Sequence, residues 1–125
     1  MKNLAEKISA SELEVMQVLW EAGDALPLSE IRKSLQARLE WSDPTVKTLI
    51  RRLCEKGAIN QEKRDVFYYA PCITRDEYNT WAAGDIVNRL FRGSAQDLVA
   101  ALVKGQELKR EDIDELRSMF RVEEE

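Results

Sequence analysis

The chain has 125 residues, 34% of them charged and 44% hydrophobic, with a formal net charge of −4. That length can bury one ordinary core, or one compact module plus a helical extension, and the composition excludes an extended disordered chain. There is no histidine, glycine (5) and proline (3) are scarce, and no stretch approaches the ~18 apolar residues of a membrane span. Met1–Lys7 has no apolar leader segment, so the expected location is cytoplasmic, without a membrane partner. Cys54 and Cys72 alone cannot complete the Cys/His ligand set of a structural zinc site, and they read as small reduced core residues. Without a histidine base, a phosphate-cradling glycine loop or a nucleophile elbow, the chain reads as a non-enzyme with no metal and no cofactor.

The first helix begins at Ser9-Ala10-Ser11-Glu12, a capping-box pattern, and runs through Leu13, Val15, Met16, Leu19 and Trp20 to a stop at Gly23. A connector from Asp24 to Pro27 leads to a second helix starting at Leu28 or Ser29, with Leu28, Ile31, Leu35 and Leu39 on one face. The third helix starts at Trp41-Ser42-Asp43-Pro44-Thr45: Ser42 caps, Asp43 suits the positive end of the dipole, and Pro44 fits the first turn. Val46, Leu49, Ile50 and Leu53 form its apolar arc. The opposite arc carries Pro44, Thr48, Arg51 and Glu55, flanked by Lys47 and Arg52, before Lys56-Gly57 closes the helix.

Two segments of β character follow, Ala58–Lys63 and Val66–Ala70, with Arg64-Asp65 as the tight turn. Strand alternation puts Phe67 and Tyr69 on one side and Tyr68 on the other, with packing beneath the helices as their expected role. Trp20, Trp41 and Trp81 are likewise assigned to packing. Pro71 ends the second strand, and Thr74–Glu77 forms another capping box.

Three more helices are expected beyond it. The first spans about Thr74 to Arg92, with Tyr78, Trp81, Ala82, Ile86 and Leu90 along one side. Ser94 caps the second, which holds Leu98, Val99, Leu102 and Val103. The third, after Gly105, carries Ile113, Leu116, Met119 and Phe120 ahead of a solvated Glu123-Glu124-Glu125 tail. So short a region cannot easily close a core alone, and burial against a second copy is the economical solution. The dimer interface is therefore expected at Tyr78, Trp81, Ile86, Leu90, Leu98, Leu102, Ile113, Leu116 and Phe120.

Three helices and a hairpin within residues 1–72 follow the order of a winged helix-turn-helix. The fold expected is mainly α with a small β-hairpin, with residues 1–72 as a DNA-binding domain and 73–125 as a three-helix dimerisation domain. Charge supports this division. Met1–Cys72 carries eleven basic and eleven acidic residues, whereas Ile73–Glu125 carries eight and twelve. Within Pro44–Arg64, six basic residues face only Glu55 and Glu62, and it is local potential that meets a phosphate backbone. A major groove admits one helix, which reads base edges mainly from its N-terminal half. The candidate contacts are Ser42, Thr45, Lys47, Thr48, Arg51 and Arg52 on the third helix, and Lys63 and Arg64 at the hairpin tip. The alternative is a winged-helix protein-interaction module without an operator, because a basic polar face is also what a solvated surface presents.

The stretch Trp41-Ser42-Asp43-Pro44-Thr45-Val46-Lys47-Thr48-Leu49, continued by Arg52-Leu53 and Lys56-Gly57-Ala58, resembles the BlaI/MecI/CopY family of bacterial repressors. So do Glu14-Val15-Met16, Ser29-Glu30-Ile31, Gly93-Ser94, Leu98-Val99 and Asp112-Ile113. The resemblance covers nearly the whole chain. It implies a homodimeric repressor of resistance or metal-homeostasis genes, bound to double-stranded palindromic operator DNA and answering to an upstream sensor or protease. Ser42, Thr45, Lys47, Thr48 and Arg52 fall on the family's recognition-helix positions, and Lys63 and Arg64 in its wing. The wing is shorter than is usual and has Arg64-Asp65 in place of the customary tip glycine. The C-terminal Cys-x-Cys cluster of the copper-responsive branch is absent. So is the Asn-Phe pair at which the β-lactam-responsive branch is cleaved, where this chain reads Leu98–Val103. Neither copper sensing nor cleavage at that bond is therefore implied.

Overall fold

The computed structural model describes residues 8–124, with side-chain environments as far as Phe120. Met1–Lys7, and the side chains of the Glu123–Glu125 tail, lie outside the described residues. The elements are α1 (Ala10–Ala22), β1 (Leu26–Pro27), α2 (Leu28–Leu39), α3 (Asp43–Lys56), β2 (Ile59–Lys63), β3 (Phe67–Pro71), α4 (Arg75–Leu90), α5 (Ala95–Lys104) and α6 (Arg110–Glu124). The fold is the expected mainly helical one with a small antiparallel sheet. The chain divides into two compact units, the first ending at Ala82 and the second starting at Ala83, so that the division falls inside α4.

In the first unit, α1 starts at a complete capping box: the Ser9 hydroxyl accepts from the Glu12 amide at 3.1 Å, and the Glu12 carboxylate accepts from the Ser9 amide at 2.9 Å. It ends at Gly23, whose φ of 72° is left-handed. Val15, Met16, Val18 and Leu19 of α1 meet Ile31 and Leu35 of α2 and Val46, Leu49, Ile50 and Leu53 of α3. These spacings of three and four place each set on one helical face, so three amphipathic helices close a single core. Ala58, Ile59 and Ile73 complete it. Trp20 packs at its edge, with the indole N–H donating to the Ile73 carbonyl at 2.9 Å and its ring 5.7 Å from that of Tyr78.

The sheet has the order β1-β3-β2, antiparallel throughout. Leu26–Pro27, expected as connector, adds the third strand by pairing with Tyr69 and Tyr68. A two-residue strand carries too little periodicity to be seen in sequence, and its register comes from β3.

Several packing expectations are corrected. Phe67 is exposed, at 43%, although it shares a strand face with the half-buried Tyr69. Only Tyr69 lies over the helices, while Phe67 pairs with Lys63 at the end of the ladder nearest the turn. Val66 is exposed in that turn. Leu39, in the last turn of α2, also lies outside the core. Cys54 is half-buried against the core as expected, and burial, aided by Cys72 and Glu55, pushes its thiol pKa up. Cys72 is exposed, although its amide still donates to the Ala58 carbonyl at 2.8 Å.

The second unit contrasts with this. Ser94 caps α5 by accepting from the Asp97 amide at 3.1 Å, and the Lys109 amide donates to Asp112 at 3.0 Å at the start of α6. From Ala83 to Phe120 no residue is buried. Its large apolar side chains include Leu90, 67% exposed, and Phe120, 63% exposed.

Candidate nucleic-acid interface

The α3 helix is held at both ends, leaving one long face free. Its N-terminus is fixed by Ser42, whose hydroxyl accepts from the Thr45 amide at 3.4 Å and lies 3.0 Å from the Thr45 hydroxyl. Asp43 is tied to α2: the Gln36 amide group donates to it at 2.6 Å, and Arg32 stands 3.6 Å away. The last residue of α3, Lys56, makes an ion pair with Glu12 in the first turn of α1. Glu12 is only 2% exposed. Burial raises its pKa, but the Lys56 ammonium and the bonds from Ser9 outweigh this and hold the carboxyl below its ordinary value. Gly57 then ends the helix with φ 80°, its amide reaching the Cys54 and Leu53 carbonyls. The capping serine was legible in sequence; the clamps through Glu12 and Asp43 were not, because their partners lie on other helices.

On the free face, Ser42, Thr45, Lys47, Arg51 and Arg52 are exposed and Thr48 is half-buried. Arg51 is partly neutralised by Glu55 at 3.5 Å, an i,i+4 pair. Lys47 and Arg52 have no acidic partner among the described residues. The structure thus puts all six candidate positions on one helix, two hydroxyls at its start and cations along its length.

The hairpin places Lys63 and Arg64 beside one another but on opposite faces. The Lys63 ammonium lies 5.5 Å from the centroid of its cross-strand partner Phe67. The Arg64 guanidinium lies 4.3 Å from the Tyr68 ring and 3.2 Å from the Glu62 carboxylate. Glu62 and Tyr68 are themselves cross-strand partners, so strand alternation explains the cluster. Sequence reading missed these pairings, although period-two spacing already set Glu62 and Arg64 on one side.

Of the expected interface residues, Ile86, Leu90, Leu116 and Phe120 are exposed, and Leu98, Leu102, Ile113 and Trp81 are half-buried. Tyr78 is half-buried on the first unit's own core. Val99, Val103 and Met119 add to the exposed apolar side chains. Among the described residues no helix is long and apolar enough to cross a membrane, and no three potential ligands gather around a metal position.

The sequence model described as penicillinase repressor matches residues 8–121. The chain belongs to the penicillinase repressor family. The penicillinase repressor of Bacillus licheniformis is 34% identical over 117 residues, covering 93% of this chain and 90% of that one. The solution structure of the DNA-binding domain of the repressor BlaI matches with a TM-score of 0.54 and 39% identity, over 62% of this chain and 94% of its own. The solution structure of monomeric Bacillus licheniformis BlaI in complex with the blaP half-operator matches with a TM-score of 0.52 and 40% identity, over 58% and 88% of the two chains. The family is thus the one that the Trp41–Leu49 motif indicated, and the first unit shares the fold of its DNA-binding domain.

Proposed function

We propose that this penicillinase-repressor-family chain is a transcriptional repressor that occupies a palindromic operator as a homodimer, controlling resistance or metal-homeostasis genes. The exposed face of α3 carries the proposal: Ser42, Thr45, Lys47, Thr48, Arg51 and Arg52 lie together on a helix anchored by Val46, Leu49, Ile50 and Leu53. Such a helix enters a major groove with its hydroxyls near base edges and its cations near phosphates or guanine. Lys63 and Arg64 serve as wing contacts. Similarity to a structure solved on a half-operator supports the reading. The second unit supplies the dimer: its apolar side chains have no core of their own, and the family resemblance implies a two-fold partner. Two half-sites about 10 base pairs apart, or a multiple of that, follow from such an axis.

A mobility-shift titration against the DNA upstream of the gene, at two salt concentrations with competitor duplex, tests this. The expected result is competitor-resistant binding by a dimer with a steep salt dependence. Lys47→Ala is expected to lose ~1–3 kcal/mol of operator affinity if Lys47 touches a base. Binding no tighter than to random duplex, both here and among fragments selected from the genome, would overturn the reading in favour of a protein-interaction module.

A further inference from the structure

We infer that Arg64 is a minor-groove reader, selecting A·T pairs under the wing, and that Glu62 and Tyr68 are the positioning residues that hold it for that task. This rests on the operator reading above and adds to it a class of base pair and the side chain that selects it. Three independent features lead there.

The first is the turn. Arg64, Asp65 and Val66 are the only residues between the last ladder pair, Lys63 and Phe67, and the Arg64 amide donates to the Val66 carbonyl at 2.9 Å. The tip is therefore narrow and closed. The second is the setting of the guanidinium. An exposed arginine ordinarily samples many rotamers, but this one has its guanidinium carbon 4.3 Å from the centroid of the Tyr68 ring and the Glu62 carboxylate at 3.2 Å. Restriction before binding lowers the entropy lost on binding. The Glu62 bond, with Tyr68 and Asp24 contributing, also raises the guanidinium pKa, so its charge is secure.

The third feature is the company Arg64 keeps. Val66, in the same turn, and Phe67, on the opposite face with Lys63, are both exposed, so the tip as a whole carries apolar surface along with its two cations. A thin projection that carries both an arginine and exposed apolar side chains suits a minor groove better than a single phosphate, because groove binders combine arginine with apolar wedges. Narrow A·T-rich grooves concentrate negative potential and attract arginine, whereas a G·C pair places the guanine amino group on the groove floor. Lys63 differs: it lies on the opposite face of the hairpin over Phe67, where a compact ammonium suits a phosphate.

The test is a base-pair scan of an operator selected from random duplexes, each A·T pair replaced in turn by G·C and by inosine·C, which lacks the guanine amino group. For the wild-type chain, G·C at one or two positions in each half-site is expected to weaken binding about tenfold, with inosine·C restoring it. Arg64→Ala should bind the three duplexes alike at those positions, while keeping its discrimination at the positions read by α3. Arg64→Lys should keep the salt dependence of binding yet lose most of the A·T preference, since an ammonium lacks the planar fork. Tyr68→Phe should retain the preference, and Tyr68→Ala and Glu62→Ala should reduce it. Circular dichroism on each variant checks that the hairpin domain is folded. If Arg64→Ala weakens binding equally on every duplex, Arg64 is a phosphate contact and the inference is overturned. It is also overturned if inosine·C behaves as G·C at every position. A wild-type chain that selects no duplex at all would overturn the operator reading first, and this inference with it.

Discussion

The two units of this chain solve the problem of apolar surface in opposite ways. The first gathers its buried hydrophobic residues, from Ile8 to Ile73, into one cluster, and each of its first three helices turns an apolar face inward. The second carries well-formed and capped helices but buries none of its residues from Ala83 to Phe120. Equivalent local signals, a serine cap and a spacing of three and four, therefore gave a closed core in one place and open apolar faces in the other. The difference is numerical. Three helices and a sheet can surround a core, whereas α5, α6 and the end of α4 expose Leu90, Val99, Val103, Leu116, Met119 and Phe120. Surface of that kind marks an interaction site, and under the repressor proposal a second copy covers it.

The sharpest way to break this contrast is to place charge in the second unit. Leu90→Asp combined with Leu116→Asp should abolish the dimer in sedimentation velocity and weaken operator binding about a hundredfold or more, because the half-sites are then engaged separately. The first unit should keep its fold, shown by unchanged amide hydrogen-exchange protection in α1 to α3. Persistence of the dimer would mean that the apolar faces serve another purpose. In the first unit, Leu35→Ala should cost about 3 kcal/mol in a denaturant titration, since Leu35 is fully buried and its removal leaves a cavity. The same truncation at Leu90 should cost the monomer far less.

Glu12→Ala should cost about 2 kcal/mol, less than for a fully buried pair because Lys56 is partly exposed. This loss carries a pH signature. A carboxyl whose folded pKa is depressed adds stability above its ordinary value near 4.5, and that stability disappears as the pH falls through the lower folded value. Wild type and Glu12→Ala should therefore differ most at neutral pH and converge in acid. The smallest effect is expected at Gly57→Ala, about 1 kcal/mol, from the left-handed φ of 80° alone, since a methyl group there would meet nothing within 4 Å. A larger loss would show that the end of α3 tolerates no adjustment.

Legibility in the sequence followed the range of the interaction. Caps at Ser9, Ser42, Thr74 and Ser94 join residues three apart, and all four are present as read. The exposed polar face of α3 was legible because helical periodicity separates it from Val46, Leu49, Ile50 and Leu53. Phe67 was misjudged because alternation fixes which side a residue takes, but not whether anything covers that side. The Glu12–Lys56 pair joins residues 44 apart, and Trp20 reaches a carbonyl 53 residues away; no local pattern encodes either.

The sequence by itself thus determined the helices, their ends, the hairpin and the family, since each rests on short-range hydrogen bonding, periodicity or an uninterrupted motif. Tertiary structure alone decided the third strand at Leu26–Pro27, the clamps on α3, the seat of Arg64 between Glu62 and Tyr68, and which apolar faces found a core. Those outcomes depend on which distant surfaces meet, and burial is a property of the neighbours as much as of the residue.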